Sequence, residues 1–206
     1  MAKIKEEKDF IKLENLELLE DLLIGSILGD GCIIKDQNKY FRLSLGHGSK
    51  QLEYLQYKVD ILNQYHLGRK ITKWTHKSNK YKQGFCISYH TKSANHPIFK
   101  KYREIFYPQN KKSINSLNQI SARSLAIWFM DDGCKCKASY QIYTDSFSVE
   151  ELENLIYILN RDYSLEFTYD KNNVLYLKKS NIQKFNSLII PYLLPCFNYK
   201  LHMGSE

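Results

Sequence analysis

The stretch Leu125-Ala-Ile-Trp-Phe-Met-Asp-Asp-Gly133 decides how this chain is read. Six apolar residues run straight into two carboxylates and a glycine. A helix that stays buried to its last turn and then presents an acid carries a desolvation cost of several kcal/mol unless the acid finds a partner. A metal ion at the helix end would offset that cost. The pattern occurs a second time, at Leu23-Ile-Gly-Ser-Ile-Leu-Gly-Asp-Gly31. Aligned on the final Asp-Gly, Asp30 and Asp132 stand 102 residues apart (132 − 30), about half of the 206-residue chain. The chain therefore reads as two tandem copies of one unit.

Both stretches resemble the motif of the LAGLIDADG homing endonucleases. The Trp-Phe-Met-Asp-Asp-Gly ending is similar to that of the monomeric, two-motif, intron-encoded branch, and the resemblance runs from about Leu16 to Leu201. It implies an α+β fold of two pseudo-symmetric αββαββα halves. Each half would carry an antiparallel four-stranded sheet forming part of a DNA-binding saddle, with the two motif helices packed at the interface. The expected boundaries are an extension at 1–15, a first half at 16–107, a linker at 108–120, a second half at 121–201 and a tail at 202–206.

Bulk properties agree with a nucleic-acid partner. The chain holds 30 Lys and Arg against 22 Asp and Glu, a net charge of +8, with an isoelectric point near 9.1. That balance favours a polyanion, although charge alone fits any basic protein. With 43% hydrophobic residues the chain can bury a core as one large domain or two fused small ones. The five cysteines, Cys32, Cys86, Cys134, Cys136 and Cys196, match no disulfide framework, and nothing completes a zinc site around Cys134-Lys-Cys136. They read as free thiols of a reducing compartment. No signal peptide and no long apolar run is visible, so the expectation is an intracellular protein without a membrane partner. Abundant Tyr, Lys, Asn and Ile suggest an AT-rich gene. The protein would then sit in a mitochondrion or chloroplast if organelle-encoded, and otherwise in bacterial cytoplasm.

Periodicity supplies the order of elements. Residues 16–29 form a helix with one broad apolar face, capped by Asn15 or Asp9 and stopped by Gly31. Its small residues Gly25, Ser26 and Gly29 admit a second helix backbone closely. Strands follow at 32–34 and 40–45, turning through Asp36-Gln37-Asn38. A helix at 51–65, a basic hairpin at 67–90 and a helix at 96–106 complete the copy. The second copy repeats it: helix 122–132, strands near Cys136 and at 141–147, and a helix from Ser148 to about Asp162 with a Ser148/Glu151 capping box. A hairpin at 165–178 and a helix at 182–193 interrupted by Pro191 close the chain. The charged start at 1–9 and the tail after Leu201 are expected to be loose. Past each closing helix a proline precedes a lysine, Pro108 before Lys112 and Pro195 before Lys200, at matching places.

Phosphodiester hydrolysis needs an activated, aligned water, neutralised transition-state charge and a stabilised leaving oxygen. Asp30 and Asp132 fit as ligands of Mg2+, which favours oxygen donors. The backbone carbonyls of Gly29 and Asp131 could complete the site. Alternatively the acids only cap or solvate helix ends, although an acid at a helix C-terminus opposes the macrodipole. The Asp131 side chain reads as secondary, because its counterpart is Gly29. Ile127, Trp128 and Met130 stand where shorter residues are frequent in the family, so an asymmetric helix crossing is expected. Lys112 and Lys200 are assigned to the two scissile phosphates, either catalytically or as static phosphate contacts. His47 and Asp145, at the ends of corresponding strands, would order site waters or contact DNA.

By resemblance, the polar faces of the two sheets would lie over the major groove of a long asymmetric double-stranded target. First-half contacts are Arg42, Ser44, Arg69, Lys73, His76, Lys80, Lys82, Ser88 and His90. Second-half contacts are Lys135, Lys137, Gln141, Tyr143, Glu166, Thr168, Tyr176 and Lys178. The function implied is a monomeric, site-specific homing endonuclease making a staggered, metal-dependent cut that promotes mobility of its host intron. The runner-up is an RNA maturase, with host intron RNA as partner, or a non-cleaving DNA-binding regulator on the same fold.

Overall fold

The structure, a computed structural model, describes residues 13–36, 40–77, 79–82 and 84–202. The expected Asp9 cap, the turn at 37–38, the charged start and the last four residues of the tail lie outside them. The first half runs α1 (Glu17–Leu28), β1 (Cys32–Asp36), β2 (Tyr40–Gly48), α2 (Leu52–Gln64), β3 (Thr72–Lys77), β4 (Phe85–Lys92) and α3 (Pro97–Phe106). The second repeats it as α4 (Ala122–Asp132), β5 (Gly133–Lys135), β6 (Tyr140–Ile142), α5 (Val149–Tyr163), β7 (Phe167–Tyr169), β8 (Leu175–Leu177) and α6 (Ile182–Ile189). Each half holds one antiparallel four-stranded sheet, in the orders β1-β2-β4-β3 and β5-β6-β8-β7. The expected two-copy α+β architecture is therefore the observed one.

The sheets alternate inward and outward with the pleat. In the first, Ile33, Leu43 and Leu45 enter the core, while Arg42, Ser44, Ser88 and His90 share the outer row with Trp74 and His76. In the second, Tyr140, Ile142, Leu175 and Leu177 are buried, and Cys134, Gln141, Tyr176 and Thr168 form one outer row across all four strands. The cores of both halves are continuous through α1 and α4, where Leu19, Leu22, Leu23 and Ile27 meet Leu125 to Met130 with no exposed surface. Asp21 ties the far end of this helix pair. Its carboxylate accepts hydrogen bonds from the Ser121 hydroxyl and from Arg123 at 3.0 Å.

Several boundaries differ from the sequence expectation, each for a local reason. Asn15 does not cap α1: it sits at φ +50°, Leu16 takes the cap position without a side-chain bond, and the Asn15 carbonyl accepts from the Tyr65 hydroxyl. β5 begins at Gly133, directly after α4, and Cys136 lies in a turn closed by its N–H donating to the Ser139 carbonyl at 2.9 Å. β6 ends at Ile142 rather than continuing to Phe147. The Phe147 N–H donates to the Thr144 carbonyl at 2.9 Å, and the Thr144 hydroxyl donates to the Asn173 carbonyl, folding the chain into a turn before the Ser148 cap. The capping box of Ser148 and Glu151 is present. α6 stops at Ile189 and continues only as a 3-10 turn, because Pro191 has no N–H to give.

Candidate active site at the helix crossing

α1 and α4 approach at Gly25 of α1 and at Gly29, which caps it. A Cβ on Gly25 would stand 2.6 Å from the Ser124 carbonyl oxygen and 2.7 Å from the Ile127 Cβ; one on Gly29 would stand 2.5 Å from the Asp131 Cβ. Both positions require glycine because a partner backbone or Cβ already fills the space. The crossing is thus asymmetric, as the bulky second motif led us to expect. Under the 102-residue offset the counterpart of Gly25 is Ile127 and that of Gly29 is Asp131, so each position faces its own copy.

Lysines close the carboxyl end of each motif helix in matching fashion. The Lys112 ammonium donates to the carbonyls of Leu28 at 3.4 Å and Gly29 at 3.2 Å. The Lys200 ammonium donates to those of Met130 at 2.8 Å and Asp131 at 3.4 Å, the corresponding pair. Burial lowers both ammonium pKa values, opposed by the nearby acids. A cation at a helix C-terminus is favourable for the helix dipole. Here it also aims a charge at the space around the acids.

Asp30 and Asp132 stand at the two helix ends. Burial, followed by repulsion from Asp30 and Asp131, pushes the Asp132 carboxyl up to about 7. Burial and Asp131 raise that of Asp30 as well, though its side chain is half exposed. Asp131 is the acid whose side chain is fully buried. Lys58 of α2, also fully buried, holds both its carboxylate oxygens at 2.9 and 3.0 Å, and the Asp30 N–H donates to Asp131 Oδ2 at 3.2 Å. Sequence reasoning gave the Asp131 side chain a secondary place and missed Lys58 altogether. The signal was available: Lys58 falls on the apolar face of α2, between Tyr54, Leu55, Ile61 and Leu62.

His47 lies beside these acids rather than on the outer face of its sheet. It is 4% exposed, with Nδ1 at 3.7 Å from Asp30 and Nε2 at 3.9 Å from Asp131. Neither ring nitrogen has a hydrogen-bond partner of normal geometry among the described residues. Burial and the Lys58 charge lower its pKa to about 4, so the ring is neutral at pH 7. Asp145, expected at the equivalent strand end, is exposed in the turn after β6; the two are not counterparts. One donor atom each from Asp30, His47 and Asp131 lie within 4.8 Å of one another. Both Asp131 oxygens are already held by Lys58, so the acids left to take a divalent cation are Asp30 and, with its raised pKa, Asp132, with the neutral His47 ring beside them. Asp132 stands beside this trio without belonging to it.

The remaining sequence candidates divide by face. Ser88 bridges His76 and His90 at 3.1 and 2.8 Å on the outer row, and the Trp74 ring centroid lies 4.6 Å from that of His90. Arg42 lies 3.8 Å from Asp36. Arg69, Lys80 and Lys82 are exposed at the ends of the hairpin. Lys73 departs from expectation: it pairs with Tyr89 and projects to the opposite side of the sheet, lining a hollow with Leu52, Glu53 and Gln56 of the α2 region. In the second half Gln141 donates to the Tyr143 hydroxyl at 2.9 Å, and Lys178 is paired with Glu166 at 2.8 Å. Lys135 shares the pleat row of inward-facing Tyr140, although it is exposed at the sheet edge, and Lys137 is exposed in the following turn.

Fold and site together define a two-copy α+β protein whose helix crossing gathers acids and lysines between two strand faces. The family described as LAGLIDADG DNA endonuclease matches residues 21–185. A probable intron-encoded endonuclease 1 of Wickerhamomyces canadensis is 32% identical, over 90% of this chain and 84% of that protein. A cytochrome b mRNA maturase bI2 of Debaryomyces hansenii is 28% identical, over 94% and 76% respectively. Among solved structures, the homing endonuclease I-WcaI bound to its DNA recognition sequence matches with a TM-score of 0.79 and 31% identity, covering 91% of this chain and 87% of that one. The chain belongs to the LAGLIDADG DNA endonuclease family. Among the described residues, no helix is long and apolar enough to cross a membrane.

Proposed function

We propose that this protein is a site-specific homing endonuclease that cuts both strands of a long asymmetric DNA target with a stagger and so promotes mobility of its host intron. The observation that carries the reading is the matched chemistry of the two halves. Each offers an acid at the end of its motif helix and a lysine on the same two carbonyls, at one shared centre. Two strands of opposite polarity, presented to one centre, call for such a two-fold set. Both half-sites lie in one chain, so a monomer suffices.

Bound magnesium would neutralise transition-state charge and lower the pKa of the attacking water. Asp30 and Asp132 would hold it, with the carbonyls of Gly29 and Asp131 adjacent. Lys112 and Lys200 each put an ammonium beside one of these helix ends, where it stabilises developing charge or polarises a water. His47, neutral and with its ring nitrogens 3.7 and 3.9 Å from Asp30 and Asp131, is suited to orienting a water between them. The outer rows, from Arg42, Ser88 and His90 to Gln141, Thr168 and Tyr176, would hold bases and phosphates.

Incubation with a randomised duplex library and magnesium, followed by sequencing of the ends, tests the reading. Paired breaks at one sequence with a constant stagger are expected; an intact library would overturn it. The likeness to a protein named as a maturase supports RNA splicing assistance as the second reading. Splicing that persists in Asp30→Asn and Asp132→Asn variants would separate that activity from cleavage.

A further inference from the structure

The shared centre is two-fold in its terminal acids and its lysines, but not in the layer beneath them. Setting Ile61-Leu62-Asn63 of α2 on Ile158-Leu159-Asn160 of α5 places Lys58 opposite Leu155. The first motif helix therefore has Gly29 and the second half supplies Leu155. The second motif helix has Asp131 and the first half supplies Lys58. Leu155, like Lys58, has no exposed surface. A buried ion pair is often no more stabilising than a well-packed apolar pair of similar volume, and this fold contains the apolar solution at the matching place. Packing alone does not call for Lys58 and Asp131.

The pair is also built into its surroundings. The Lys58 ammonium stands 4.3 Å from the Tyr54 ring centroid, the Tyr54 hydroxyl donates to the Ile127 carbonyl at 2.9 Å, and the His47 ring lies 4.9 Å from that of Tyr54. Asp131 in turn accepts the Asp30 N–H. The chain His47, Tyr54, Lys58, Asp131 thus spans the crossing from the first half to the second motif helix, accepts the Asp30 N–H, and is not repeated beneath the other helix end, where Gly29 and Leu155 stand. The ammonium cancels a third carboxylate, buried beneath Asp30 and beside Asp132.

We infer that Lys58 is a positioning residue that neutralises Asp131 across the helix crossing, and that this pair, present once where the repeat offers two places, makes the two strand cuts unequal. The strand-order part rests on the endonuclease reading above; the neutralising part does not. Lys58→Met leaves Asp131 unpaired, and Lys58→Met with Asp131→Asn removes both charges. Binding to mixed-sequence duplex in EDTA, measured on protein shown folded by circular dichroism, should weaken about tenfold in the single variant and return to near the parent value in the double. On a cleaved duplex labelled on each strand in turn, the parent should nick one strand first. The double variant should shift the ratio of the two initial rates several-fold towards unity. Unchanged binding by the single variant, no strand preference in the parent, or a parental ratio in the double variant would each overturn the inference. Should the single variant not fold, the double variant, which buries no charge, decides by its ratio. Should the parent cut nothing, the endonuclease reading fails while the binding comparison still decides the role of Lys58.

Discussion

Gly25 and Gly29 in the first half and Ile127 and Asp131 in the second are the same positions of one repeated unit, and they pack against each other. On a two-fold axis every residue meets its own copy. A close crossing then needs the sum of the two side chains to be small, not each of them. One helix has taken both glycines, which frees the other to carry a branched side chain and an acid. Elsewhere the halves have stayed alike: Lys112 and Lys200 sit on corresponding carbonyls, and Asp30 and Asp132 on corresponding helix ends. Symmetry persists in the acids and lysines proposed to serve two antiparallel DNA strands, and relaxes where one partner of a packed pair can compensate for the other.

The most drastic way to break this comparison is at the acids. Asp30→Asn and Asp132→Asn should each remove several kcal/mol of transition-state stabilisation and abolish both cuts in magnesium, while binding in calcium persists. Supercoiled-plasmid cleavage read beside gel shifts checks this. Clean nicking of a single strand by either variant would show two independent half-sites.

Next comes the crossing itself. Gly25→Ile should destabilise the fold by about 3 kcal/mol, since its Cβ has only the Ser124 carbonyl and Ile127 to displace. Adding Ile127→Gly should recover much of that loss in urea denaturation. Equal destabilisation of the single and the swapped variant would refute the self-facing arrangement.

Proton linkage offers a finer test in EDTA. The Asp132 pKa is raised from 3.8 to about 7. The folded state then holds a proton that the unfolded state releases, and stability falls as pH rises through this window. The His47 pKa is lowered from 6.5 to about 4. The unfolded state then holds the extra proton, and stability falls as pH drops through its window. Between about pH 4 and 6.5 the two oppose each other. Asp132→Asn should leave a melting temperature that rises with pH there, and His47→Gln one that falls.

The smallest effect expected is in salt dependence. Removing the exposed charges of Arg69 and Lys82 should lower the log–log slope of DNA binding by about 2. Removing Lys178, already paired with Glu166, should change it less, and so should removing Lys73 on the far side of its sheet. Equal slopes would erase the difference between the two strand faces.

The repeat, the order of elements, the Ser148 cap and the matching lysines were legible in the sequence, because each is written in local spacing or in a comparison of one half with the other. What was not legible was which face a strand-end side chain takes. His47 and Asp145 look equivalent until the turn after Ile142 removes the second from its sheet. Lys73 and His76 look alike until the pleat separates them. For Lys58 the sequence shows the anomaly, a lone lysine on an apolar helix stripe, but not its partner, an acid 73 residues away that only the fold brings against it.

The self-facing crossing also carries a memory of partner choice. Two first halves brought together would set glycine against glycine and leave voids. Two second halves would set Ile127 against Ile127 and Asp131 against Asp131, a clash beside a pair of like charges with no Lys58 within reach. Each half is therefore a poor match for itself and a good one for the other. Separately expressed, they should assemble as a one-to-one pair from a mixture, the side chains at a single helix crossing doing the work of recognition that the covalent linker now makes unnecessary.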